Sequence, residues 1–326
     1  MSLPTQLFRT LSPGGAQGRL SVFIFHRVLP VADPVFPDLP DAARFAQILR
    51  WLKAWFNVLP LDKAVPLLTS GRLPERAAAI TFDDGYADNV NVALPLLREA
   101  GLSATFFIAT GFLDGGQMWN DTVIEAIRGW PSTLLDGTAL NLGRHALGSD
   151  LDRRRAIDAC ISQIKYRPVD DRLAQAAILA EMAEIVPARD LMMTSMDVRI
   201  LRDAGMQIGA HTVSHPILRN LPLAGARGEI VSSRAKLETL IEERVGLFAY
   251  PNGRPGDDYD DAHVRLVREL GFDAAVSTEP GAAGLRTDPM QLPRFTPWDR
   301  GRMRFCARLA RNLLQARRHD RMDATP

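Results

Sequence analysis

Thr81-Phe82-Asp83-Asp84-Gly85 sets two adjacent carboxylates and a glycine directly behind an apolar run, Ala77–Phe82. Neighbouring acids at the end of a buried segment repel one another, and both lose solvation. Such a pair calls for a cation, and a bound metal ion is a compact way to supply one. Standing alone, the same residues would also suit a solvated Asp-Asp-Gly turn.

A second constellation, His211-Thr212-Val213-Ser214-His215-Pro216, follows another short apolar run. Two imidazoles with three residues between them converge on one ion when the intervening chain makes a helical turn or a tight loop. Neutral imidazole suits Zn²⁺ and other late first-row divalent ions. Two unrelated surface or core histidines are the alternative. Taken together, one Asp and two His make a three-ligand set with a position left open for water, as metal-dependent hydrolysis requires. The second Asp is then free to act as base on that water.

The elements that must position these residues alternate. Short apolar runs rich in β-branched and aromatic residues occur at Ser21–Phe25, Phe56–Leu61, Ala77–Phe82, Ala104–Thr110, Gln207–His211, Gly246–Tyr250, Ala274–Ser277 and Gln291–Phe295. Most are continuous rather than alternating, the pattern of strands buried on both faces. Helix candidates lie between them: Asp41–Ala54, Asn89–Ala100 before Gly101, Thr194–Ala204 before Gly205, Leu223–Arg244, and Asp258–Leu270 before Gly271. Roughly eight strands alternating with helices predict an α/β fold, a distorted (β/α) barrel of parallel strands. Leu113–Arg189 breaks the rhythm with no convincing strand and with charged faces at Asp150–Arg155 and Lys165–Arg172. This stretch reads as a largely helical insertion on a βα loop, about 113–190, suited to a lid or substrate wall. The predicted organisation is an N-terminal arm over 1–19, the barrel over 20–299 and a basic helix and tail over 300–326.

At this point the motifs resemble a known family, the polysaccharide deacetylases of carbohydrate esterase family four, whose shared region is called the NodB homology domain. Its first motif, TFDDG, matches Thr81–Gly85, and its His-Ser/Thr-x-x-His-Pro motif matches His211–Pro216. The resemblance runs from about Leu20 to Phe295, interrupted by the insertion. It implies that Asp83 is the catalytic base, that Asp84, His211 and His215 hold the metal, and that the fold is a distorted (β/α) barrel. The family's Arg-x-Pro-Tyr/Phe-Gly motif stands here as Ala249-Tyr250-Pro251-Asn252-Gly253, without its arginine or its aromatic. The aromatic acts mainly through a backbone N–H on the oxyanion, which Asn252 supplies equally well. Arg294, in Leu292-Pro293-Arg294-Phe295, is the candidate replacement for the arginine; the alternative is a loop arginine in a surface ion pair. The expected acid histidine does not follow Arg294, except as His319 in the basic tail. Phe25-His26-Arg27-Val28 resembles the Tyr-His-Arg-Val segment of a permuted branch, which makes His26 the candidate general acid. A satisfied core histidine is the other reading of His26.

The resemblance thus implies metal-dependent removal of N-acetyl groups from an amino-sugar polysaccharide or its precursor, in a setting such as bacterial exopolysaccharide assembly. Zinc is the expected ion, with cobalt, nickel or manganese as substitutes. Rival readings are a related amidohydrolase, an O-acetyl esterase on the same scaffold, and a silent metal-retaining sugar binder. Met118-Trp119-Asn120-Asp121 offers an aromatic for a sugar to stack on, or an anchor for the insertion.

Bulk properties bound the remaining readings. The 326 residues are 46% hydrophobic and 24% charged, enough for one large core or two modest ones. A net charge of +1 gives no field that would favour nucleic acid. Cys160 and Cys306 lack metal or redox spacing and read as reduced packing thiols. No basic segment precedes an apolar core near the N-terminus, and Leu20–Phe25 is too short to span a bilayer, so cytoplasmic placement is expected. The C-terminal arginines, from Arg300 to Arg321, share a run with Phe305, Leu309, Leu313 and Leu314 on roughly one face. Packing against the barrel is the preferred reading, and peripheral contact with a membrane or acidic partner the second.

Overall fold

The computed structural model describes residues 3–186 and 188–322, with side chains through residue 315. Its strands are β1 (Leu20–Phe25), β2 (Asn57–Val58), β3 (Ala77–Phe82), β4 (Thr105–Ile108), β5 (Leu134–Asp136), β6 (Arg144–Ala146), β7 (Gln207–Ala210), β8 (Leu247–Ala249), β9 (Ala274–Pro280) and β10 (Leu292–Phe295). Seven of them form a closed parallel barrel in the order β1-β10-β9-β8-β7-β4-β3, sealed by pairing of β3 with β1. The short β2 flanks the first half of β3, while β4 pairs with its second half. The sequence run Phe56–Leu61 yields only this two-residue strand, because Pro60 starts a helix at Leu61.

Alternation along the strands divides the molecule into layers. Ala78, Ile80 and Phe82 of β3 point outward into the core beneath the helices, with Phe23, Phe25 and Phe106. Ala77 and Ala79 point inward with Leu20, Val22, Phe107 and Val276, above a floor made by the helix Leu61–Thr69. Small residues are required inside so narrow a barrel. Gly209 of β7 is one: a Cβ there would stand 2.4 Å from the Phe107 ring.

The helices, numbered in chain order, are α1 (Leu3–Leu11), α2 (Ala42–Trp55), α3 (Leu61–Thr69), α4 (Leu94–Ala100), α5 (Trp119–Arg128), α6 (Asp150–Ile164), α7 (Val169–Met182), α8 (Ser195–Asp203), α9 (Leu223–Ile241), α10 (Asp261–Glu269) and α11 (Arg302–Met322). Their starts follow ordinary capping chemistry. Asp41 accepts from Arg44 N–H at the start of α2, and Thr194 with Asp197 forms a capping box at α8. The predicted arm contains α1, whose Phe8 is fully buried against Trp55 and Phe56.

The insertion comprises α5, α6 and α7 around a small core of its own, including Val123, Leu135, Ile157 and Leu179. It is not free of strands, as its sequence suggests: β5 and β6 form an antiparallel hairpin. Three-residue strands with only Leu135 buried carry no alternation to read. Cys160 and Cys306 are free and buried in α6 and α11. In α11, Phe305, Leu309 and Leu313 enter the main core, whereas Leu314 faces solvent. The side chains of Arg317, Arg318, His319 and Arg321 lie outside the described residues. No helix among the described residues is long and apolar enough to cross a membrane.

Candidate active site and metal centre

The candidate catalytic and metal-ligating residues gather at the carboxyl ends of the barrel strands, where loops of such barrels assemble sites. His26 follows β1, Asp83 and Asp84 follow β3, His211 follows β7, Asn252 lies just past β8, and Arg294 is within β10. They share a cavity of about 840 Å³ with Met118, Trp119 and Asn120 of the insertion, except that Arg294 stands beneath it.

Adjacent residues on a strand point to opposite faces, so Asp83 and Asp84 need a break in the strand to face one cavity. The chain provides a three-residue turn. Gly85 N–H donates to the Asp83 carbonyl at 3.0 Å, and Asp84, at its corner, has φ +77°. That region is costly for a residue with a Cβ, and such outliers gather at functional sites. Asn252 repeats the arrangement: its φ is +58°, and Gly253 N–H donates to the Pro251 carbonyl at 2.6 Å. Thr212 and His215 are left-handed as well. Gly85 itself has φ +91° and sits where a Cβ would crowd Ile108 at 3.1 Å.

Asp84, His211 and His215 bring their ligand atoms within 4.8 Å of one another. The Nε2 atoms of His211 and His215 stand 3.4 and 3.5 Å from Asp84 Oδ1. Ligands bound tetrahedrally at about 2.0–2.1 Å stand roughly 3.3–3.4 Å apart, so these separations fit a shared ion. His211 Nδ1 lies 2.8 Å from the Ala249 carbonyl, which makes Nδ1 the protonated nitrogen and leaves Nε2 free to ligate. Burial pulls the His215 pKa down to about 4, which keeps its imidazole neutral at physiological pH. Burial works against the charged form of Asp84, but without a metal the two imidazoles beside it, once protonated, outweigh burial and hold its carboxyl well below the usual range. His211 is also desolvated, yet Asp84 and Asp83 beside it raise its pKa. Two imidazoles and one carboxylate therefore fit a zinc-type ion by chemistry and by spacing.

Asp83 is held differently. Arg294 Nη1 and Nη2 each donate to one Asp83 oxygen at 2.7 Å, and both side chains are almost wholly buried. Arg294 Nε donates to the Ser277 carbonyl at 2.7 Å, and Nη1 also reaches Thr81 Oγ1 at 3.2 Å. Desolvation favours the neutral acid, but the Arg294 charge outweighs it and keeps the Asp83 pKa below the ordinary value. The surface ion pair left open for Arg294 is thus ruled out: it is an interior residue on the same strand face as Leu292.

His26 is exposed on the cavity, not a satisfied core histidine, and its side chain makes no hydrogen bond among the described residues. Its loop is nevertheless fixed to the stretch that follows Gly85. Asp88 accepts from Arg27 Nε at 2.7 Å and from Val28 N–H at 3.1 Å, and Asn89 Nδ2 donates to the His26 carbonyl at 2.9 Å. Arg27 also lies over the Tyr86 ring at 4.8 Å. The Asn252 N–H has no partner among the described residues, while the Asn252 carbonyl accepts from Thr278 Oγ1 at 2.7 Å.

Trp298, Lys165 and Arg172 are among the cavity residues that sequence reasoning missed. Trp298, 64% exposed, follows β10 with no pattern around it to draw notice. Lys165 and Arg172 read as part of a solvated charged face, yet Arg172 is buried in the cavity wall. A signal existed: Arg172 shares one helical face with Ala176 and Leu179, so a charge stands on an apolar stripe.

The family model described as Polysaccharide deacetylase matches residues 70–130 and 179–275, and its gap falls within the insertion. YxkH of Bacillus subtilis (strain 168), whose name places it with the same family, is 21% identical over 241 residues, 73% of this chain and 58% of that one. The uncharacterized SCO4760 of Streptomyces coelicolor is 36% identical over 80 residues, 24% of this chain and 30% of that one. The chain thus spans less than two thirds of each of these two curated relatives. Among solved structures, the Streptococcus pyogenes deacetylase PplD superposes with a TM-score of 0.59 at 18% identity, covering 91% of this chain and 97% of that one. IcaB from Ammonifex degensii gives 0.58 at 17% identity, with 93% and 98% covered. A de-N-acetylase from Aggregatibacter actinomycetemcomitans gives 0.56 at 16% identity, with 90% and 99% covered. At these identities the superpositions establish the shared fold. The family match on both sides of the insertion and the shared fold together support a place in the polysaccharide deacetylase family.

Proposed function

We propose that the protein hydrolyses the N-acetyl amide of an amino sugar, in a polysaccharide or its glycan precursor, with a divalent ion held by Asp84, His211 and His215. The observation that carries this reading is the meeting of that ligand set and the Asp83–Arg294 pair in one cavity. A divalent ion, zinc by its donor set, supplies Lewis acidity there, acidifying water and polarising the acyl oxygen.

The chain's own groups do the rest. Asp83 accepts the proton of the attacking water. Each of its oxygens spends one lone pair on Arg294 and keeps another for the cavity. Arg294 fixes the carboxylate's orientation and keeps it ionised, standing in for the motif arginine absent at Ala249. The free Asn252 N–H receives the negative charge that develops on the acyl oxygen. His26 delivers a proton to the departing amine, the role of the acid histidine in the permuted branch. Trp119 and Trp298 give the sugar ring apolar faces to stack on.

Metal analysis coupled to an acetate-release screen tests the whole reading, over N-acetylated oligosaccharides and lipid-linked sugars. Acetate release should vanish on chelation and return with zinc. Full activity after rigorous stripping removes the metal from the mechanism, and release from O-acetylated substrates alone replaces amide hydrolysis with ester hydrolysis.

A further inference from the structure

Arg172 has a position that no catalytic step above uses. It stands in the first turn of α7, only 6% exposed, and borders the catalytic cavity. Its guanidinium lies 5.6 Å above the Trp119 ring, Nη1 reaches only the Lys165 carbonyl at 3.4 Å, and Nε has no hydrogen-bond partner. No carboxylate pairs with it among the described residues, and its neighbours Asp170 and Asp171 are exposed. Lys165, at the C-cap of α6, lines the same wall and likewise forms no ion pair among the described residues. Two other charged side chains outside the catalytic set line the cavity. Arg254 lies 3.5 Å from Asp257, and Glu279 sits on a different wall segment, following β9's buried half.

A buried guanidinium without a counter-charge is costly, and a fold that retains one at a cavity gains when an anion arrives. The planar fork suits carboxylate and phosphate oxygens in particular. We propose that Arg172 and Lys165 form a subsite for an anionic substituent of the glycan, a carboxylate of an acidic sugar or a phosphate joined to the sugar. The inference rests on the deacetylase reading of the adjoining site. The insertion then acts as the part of the enzyme that selects charge, while the barrel supplies the hydrolytic groups.

Three N-acetylated substrates of matched size, one neutral, one carboxylated and one phosphorylated, are compared on the full-length metal-loaded protein. Binding of inorganic phosphate is titrated separately. The kcat/KM ratio of anionic to neutral substrate should be about tenfold or more, through KM, and should fall about tenfold in Arg172→Gln. Arg172→Lys should restore part of it, and Lys165→Gln, at a less buried position, should lower it in the same direction. A general folding defect reduces turnover of all three substrates and leaves the ratio where it was, so an unchanged ratio in both glutamine variants overturns the subsite. Preference for the carboxylated or for the phosphorylated substrate identifies the source of the anion. Acetate release from the neutral glycan without anion preference removes the subsite and keeps the deacetylase. Phosphate binding that weakens about tenfold in Arg172→Gln, with no acetate from any substrate, keeps the subsite and removes the deacetylase.

Discussion

Arg294 and Asp83, 211 residues apart in sequence, meet through two parallel 2.7 Å hydrogen bonds inside the barrel. The pair connects the last strand to the third and adjoins Asp84, the next residue and part of the candidate metal site. Breaking a buried pair by removing one partner costs about 3–5 kcal/mol, because the other charge is left desolvated. Arg294→Met should therefore lower stability by about that amount. It should also let burial raise the Asp83 pKa, which Arg294 now holds down. The acid limb of the pH–rate profile then moves upward, and kcat/KM at neutral pH falls by roughly 10²-fold or more. In the parent protein the pair's stabilisation is present above the unfolded carboxyl pKa of about 3.9 and is lost as pH falls through the lower folded value. An unshifted acid limb in Arg294→Met would show that Asp83 is not the base.

His26 permits a cleaner separation of chemistry from structure, since its side chain is exposed and unbonded. His26→Ala should reduce kcat by about 10²–10⁴-fold. Its unfolding free energy should stay within roughly 0.5 kcal/mol of the parent, as for surface changes in general. Metal content measured by elemental analysis should be unaltered. Lost metal, or an unaltered rate, would take the acid role away from His26.

The triad makes a different forecast. Asp84→Asn and His211→Ala should each lose bound metal and activity together. Metal retention should also fall as the solution is acidified, because protons compete with the ion for the imidazoles. Elemental analysis after dialysis over a pH series checks this. A variant that keeps its metal while losing the ligand would show that the ion binds elsewhere.

Much of the candidate site was legible in the sequence because the residues that could hold a metal come as short local motifs. Asp83–Asp84 and His211–His215 each sit at one strand end, so each motif places its pair in one locality, although the turn that aims both carboxylates into the cavity shows only in the structure. The barrel was legible for the same reason, since strands such as β1 and β3 are mainly apolar without alternation and buried throughout. The Arg294–Asp83 contact depends on barrel closure through β1, which no local pattern encodes. The burial of Arg172 showed in the sequence only as a charge on the apolar stripe of α7, which does not reveal the cavity beside it. The clamp from Asp88 to Arg27 and Val28 likewise joins residues about 60 apart in sequence.

A last consequence concerns Asp121, which lies 4% exposed in the first turn of α5 with both oxygens 3.1 Å from Tyr86 Oη. Burial, reinforced by the nearby Asp84 charge, pushes its pKa up to about 7, against the pull of Arg27 and the Tyr86 hydrogen bond. Between the unfolded value of about 3.9 and about 7, the folded protein binds more protons at this site than the unfolded chain does. Its contribution to stability therefore falls as pH rises through that window and levels off above it, by on the order of 4 kcal/mol in total. Asp121→Asn keeps an acceptor for the Tyr86 hydroxyl and removes the charge. The variant's advantage over the parent in thermal stability should be clearly larger at pH 8 than at pH 5. The comparison belongs on metal-free protein, since a cation at Asp84 would itself favour the ionised Asp121. A stability difference between parent and variant that does not change from pH 5 to pH 8 would mean that Asp121 is charged throughout.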